Sequence, residues 1–141
     1  WGEVVWRDPR TPKFIGDMPH TWVGSDYVRS FLDLVAYERE DDSSLVVAAG
    51  IPERWVRSAR GVSVQGLRTP YGSLDVALSA EGAGVRVRVS GLKAVPPGGV
   101  VVRPPLSSPP RTATVDGRPA PLSADGEVVV RSLPAEVVVL P

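Results

Sequence analysis

The sequence predicts a mainly β protein, an antiparallel β-sandwich preceded by a short helical segment. Three observations carry that prediction. Eight of the nine aromatic residues lie within the first 55 of 141 positions, which divides the chain into two textures. Beyond residue 61, valine and leucine recur at every second position in short runs, the period of a strand with one buried face. Turn residues separate those runs at short intervals, the spacing of a sandwich.

The first texture, residues 1–42, begins with an extended lead punctuated by Pro9, Pro12 and Pro19. An amphipathic helix is expected over 26–37. Ser25 or Asp26 would be its N-cap, and Val28, Phe31, Leu32 and Val35 recur on one helical face. The run from Glu38 to Asp42, interrupted by Arg39, ends the helix and reads as a solvated turn. A calcium loop would require a regular ligand spacing and a Gly turn that this run lacks.

The second texture, residues 43–141, is β. Leu45 to Ala49 is a short apolar run, and Pro52 to Val56 suits one helical turn that plants Trp55. Val62 and Val64, then Leu74, Val76 and Leu78, then Val85, Val87 and Val89 alternate with polar or small residues, so that Arg86 and Arg88 point to water. Further strands are expected at 100–102, 112–115, 128–130 and 137–140. Glu81-Gly82, Pro97-Gly98-Gly99, Asp116-Gly117 and Asp125-Gly126 mark the reversals. Pro104, Pro105, Pro109 and Pro110 fall between strands, where a missing amide donor breaks no ladder bond, and they suit a crossing from one sheet to the other.

Composition narrows the function. Sixteen basic and sixteen acidic residues cancel, which leaves no net positive charge to draw a nucleic acid. No stretch approaches the roughly 18 apolar residues of a membrane-spanning helix, so a soluble chain without a membrane partner is expected. The absence of cysteine excludes thiol catalysis and thiolate metal sites, and the single histidine, His20, argues against a zinc site or a serine-histidine system. No metal or other cofactor is expected. Trp1 in place of an initiating Met, with no secretion signal ahead of the fold, reads as a piece of something longer.

The segment Gly16-Asp17-Met18-Pro19-His20-Thr21-Trp22-Val23-Gly24-Ser25, the helix after it, and Leu45-Val46-Val47-Ala48-Ala49-Gly50-Ile51-Pro52 resemble the end of bacterial glycoside hydrolases built on a six-hairpin (α/α)6 barrel, the α-L-rhamnosidase-like group among them. Gly66-Leu67-Arg68-Thr69-Pro70-Tyr71-Gly72-Ser73-Leu74 is similar to a turn segment of the sandwich that follows such barrels. The similarity covers most of residues 14–103. It implies that 1–42 is the end of an upstream barrel, the partner of a C-terminal accessory sandwich at 43–141. It also implies that the loop with Asp17, His20 and Trp22 lies on the rim of a sugar site, where Trp stacks on a sugar face and Asp and His bond its hydroxyls. A periplasmic or extracellular setting is expected ahead of a cytoplasmic one.

The alternative for those residues is structural, with Trp22 and Met18 packing the helix and His20 bonding a nearby carbonyl. No catalytic residue is assigned. Glycoside hydrolysis needs two carboxyls roughly 5 to 9.5 Å apart with one pKa raised, and Asp17, Asp26 and Asp33, the candidates near the loop, have no spacing that favours them. Two other functions compete: an autonomous carbohydrate-binding module, with glycan as partner, and a protein-interaction domain. Tyr71 is the sole aromatic residue of the β part from residue 61 on, which weighs against a module that stacks sugars on its sheet. The apolar N-terminal segment around Trp1, Trp6, Phe14 and Phe31 predicts self-association.

Overall fold

The computed structural model describes Asp8, Arg10 and residues 19–141. The chain divides into two compact units between Asp33 and Leu34, earlier than the 42/43 boundary read from the sequence. Trp1, Trp6, Phe14, Asp17 and Met18 lie outside the described residues.

In the first unit the helix α1 spans Thr21–Asp33 rather than 26–37. Its start is set by His20, whose Nδ1 accepts the amide of Val23 at 3.2 Å and so takes the part usually played by Ser, Thr, Asp or Asn. Ser25 and Asp26, expected as caps, lie inside the helix, and Ser30 Oγ donates back to Asp26 O at 2.8 Å. No residue of α1 is buried.

The second unit is a β-sandwich. One sheet has four strands in the order β1 (Ala36–Arg39), β2 (Ser44–Val47), β6 (Val100–Val102) and β9 (Val128–Val130). The other has six, in the order β3 (Val62–Thr69), β4 (Gly72–Glu81), β5 (Gly84–Leu92), β10 (Ala135–Leu140), β7 (Thr112–Val115) and β8 (Arg118–Ala120). All pairs are antiparallel except β2 with β6, which run parallel. A single 3-10 turn at Glu40–Asp42 joins β1 to β2 and its acidic residues are exposed, whereas Glu38 and Arg39, read with them as a solvated turn, belong to β1. One helical turn, α2 (Glu53–Val56), plants Trp55 against the core.

Alternation builds the core. Leu74, Val76 and Leu78 of β4, Val85, Val87 and Val89 of β5, and Val137 and Val139 of β10 point inward and are buried. They meet Leu45, Val47, Val100, Val102, Val128 and Val130 of the smaller sheet. Burying each such side chain contributes roughly 1.5–3 kcal/mol over leaving it exposed. The proline-bearing stretch 104–110 carries the chain from β6 in one sheet to β7 in the other, as its composition predicts. The segment Gly66–Leu74 forms the hairpin between β3 and β4 within the larger sheet.

The smaller sheet is apolar on both faces. Tyr37, Val46, Val101 and Val129 are cross-strand neighbours on the face turned away from the six-stranded sheet. Val46 and Val101 are fully buried, whereas Val129 is 42% exposed.

Candidate functional site

Of the three residues expected on a sugar-site rim, His20 and Trp22 come together and Asp17 lies outside the described residues. The rings of His20 and Trp22 stack with centroids 6.5 Å apart and an interplanar angle of 17°. Because Nδ1 of His20 accepts the Val23 amide, the neutral ring carries its proton on Nε2. Trp22 is 73% exposed.

Farther along α1, Tyr27, Val28, Phe31 and Leu32 line an apolar hollow of about 250 Å³. All four are exposed, so this amphipathic helix displays its apolar stripe. Asp26 and Asp33 lie on the same helix and are exposed.

Three ionic clusters organise the sandwich. Arg39 donates from Nε and Nη2 to Asp42 at 3.2 and 2.8 Å and from Nη1 to Glu127. The Arg39 guanidinium, with the amide of Ser44 adding, holds the Asp42 carboxyl well below the usual carboxylate range. Glu53 accepts from the hydroxyl and amide of Ser107 and from Arg57, and those bonds hold its pKa down at about 2. Arg57 in turn donates to the carbonyls of Gly82 and Ala83, tying α2 to the β4–β5 turn. Arg86 bridges Glu81 and Glu136 across the outer face of the larger sheet, and Glu81 first, with Glu136 adding, raises its pKa. Where a carboxyl pKa is shifted here, at Asp42 and Glu53, it goes down, opposite to the shift a general acid needs.

Next to the Arg86 cluster, the same sheet face changes character. Two adjoining concavities, of about 320 and 230 Å³, share Arg88 and Ser90 on β5. The smaller is lined by Ser63 and Gln65 of β3 and Asp75 of β4. The larger is lined by Asp116, Pro134 and Glu136. Among the described residues, Arg88 is anchored at one atom, Nε donating to Glu136 Oε2 at 2.8 Å. Asp75 Oδ1 accepts the amide of Gly66 at 2.8 Å, which closes the bulge in β3. Sequence reasoning sent Arg88 to solvent but did not find this grouping, because strand register rather than any local motif assembles it: Asp75 lies opposite Ser90, and Arg88 lies between Ala77 and Glu136.

Among the described residues, no group of three or more His, Asp or Glu side chains is arranged to hold a metal ion. No helix among them is long and apolar enough to cross a membrane.

Fold and surface together define a two-sheet β-sandwich with an open polar face on its larger sheet, preceded by a helix with an exposed apolar stripe. Comparison with known proteins finds no family model that matches the chain, and no match among curated proteins or solved structures.

Proposed function

We propose that this chain is a non-catalytic accessory domain of a carbohydrate-active enzyme, a sandwich that buttresses an (α/α)6 barrel of the glycoside hydrolase type. The observation that carries the reading is the helix α1, which exposes Trp22, Tyr27, Val28, Phe31 and Leu32 and buries none of its residues. A helix of this pattern is built to lay its apolar face on a neighbouring body. The order of helix and sandwich is the one the resemblance to six-hairpin glycosidases implies, and on that reading His20, and Trp22 in the first turn of α1 rather than in a loop, stand at the rim of the barrel's sugar site.

The test is turnover of a panel of 4-nitrophenyl glycosides by the chain. No release of nitrophenol is expected. Release that disappears in Asp26→Asn or Asp17→Asn would place a catalytic carboxyl within residues 1–42 and overturn the accessory reading.

A further inference from the structure

The polar concavities on the outer face of the six-stranded sheet carry more than the buttress reading uses. Along this face, one neighbourhood is closed and the other open. Arg86 spends its donors on Glu81 and Glu136, and Glu136 also accepts from Nε of Arg88. On Ser63, Gln65, Asp75, Arg88 and Ser90 capacity is left over: among the described residues, both terminal nitrogens of Arg88 and the Oδ2 of Asp75 lack a protein partner, as do the side-chain polar groups of Ser63, Gln65 and Ser90. All five line one concavity, and they sit on three consecutive hydrogen-bonded strands, so the backbone holds their spacing before any ligand arrives.

We propose that this groove is a binding site for a neutral, hydroxyl-rich ligand of the saccharide class. The groups supply donors at Arg88, an acceptor at Asp75, and groups that serve as both at Gln65, Ser63 and Ser90, which is the mixture that hydroxyls, each donor and acceptor, can satisfy. Charge decides against an anion. Arg86 and Arg88 are balanced by Glu81 and Glu136, and Asp75 and Asp116 add negative charge beside the groove. Pro134, lining the adjoining concavity, offers an apolar wall for the C–H face of a ring. The inference stands on the groove alone and does not need the chain to buttress a barrel.

The experiment is an amide-resolved NMR titration of the whole chain with maltotriose, cellotriose and mannotriose, and separately with glucuronate, each to tens of millimolar. At least one neutral trisaccharide is expected to shift the amides of Gln65, Asp75, Arg88 and Ser90. Arg88→Ala and Gln65→Ala, both at exposed positions, should each weaken that response about tenfold, the loss of one or two hydrogen bonds. Asp75→Asn, which keeps an oxygen for the Gly66 amide, should weaken it without disturbing the fold. No shift at these amides with any of the three trisaccharides overturns the proposal. So does a stronger response to glucuronate, or a response confined to the residues around Trp22.

Discussion

The guanidinium of Arg39, on the edge strand of the smaller sheet, donates from Nη1 to Oε2 of Glu127 at 3.0 Å, joining positions 88 residues apart. Glu127 is buried and precedes the other edge strand, β9, so one ion pair ties the turn ahead of β9 to β1. Removing Arg39 leaves the buried carboxylate without its cation. Arg39→Ala should therefore cost about 1–2 kcal/mol, discounted from a fully buried pair because Arg39 is partly exposed. Urea unfolding of Arg39→Ala, Glu127→Ala and the double variant checks this, with the double variant expected to lose less than the sum.

Acid should destabilise the fold, with a sign set by two carboxyls. Asp42 and Glu53 have ordinary values of 3.8 and 4.5, and both are lowered in the folded chain, Glu53 to about 2. Each binds its proton less readily folded than unfolded. The stability they contribute is complete above their ordinary values and is lost as pH falls through the folded ones. Tm should therefore hold steady from neutral pH to about 5 and fall from there toward 2. Glu53→Gln should flatten part of that fall.

Core positions should separate sharply from rim positions on the same sheet. Leu74 is fully buried, whereas Leu140 is 40% exposed. Leu74→Ala is expected to cost about 2–5 kcal/mol, and Leu140→Ala less than about 1.5 kcal/mol. Equilibrium denaturation of the two variants tests the assigned inward face of β4.

Two glycines with positive φ should respond differently to the same methyl group. At Gly82, φ is +56° and a Cβ would meet open space, so Gly82→Ala carries only the backbone cost of about 1–2 kcal/mol. At Gly61, φ is +63° and a Cβ would lie 2.2 Å from the carbonyl oxygen of Leu78, so backbone must also shift. Gly61→Ala should lower Tm more than Gly82→Ala.

The strands of the larger sheet were legible because each buries one face, and a period of two is written directly in Leu74-Val76-Leu78 and Val85-Val87-Val89. β1 was not. Ala36 to Arg39 follow Leu32 and Val35 at helical spacing, and only pairing with β2, a non-local event, makes them a strand. β8 was hidden by Pro119, which an edge strand tolerates and a sequence pattern penalises. The parallel pairing of β2 with β6 leaves no local trace, since Val-rich runs read the same in either direction. His20 as a helix cap escaped notice because its residue type is a weak capping signal. The sheet-face groove escaped for another reason: its five polar residues span positions 63 to 90 and become neighbours only through register.

The account rests most on the apolar stripe of α1 as a docking face. Sedimentation velocity of the chain, run beside an apolar fluorescent dye titration, tests it by comparing the natural sequence with Phe31→Ser combined with Leu32→Ser. The account predicts dye binding and self-association for the natural sequence, both diminished in the double variant. A natural chain that sediments as a single monomer and leaves the dye dark would contradict it.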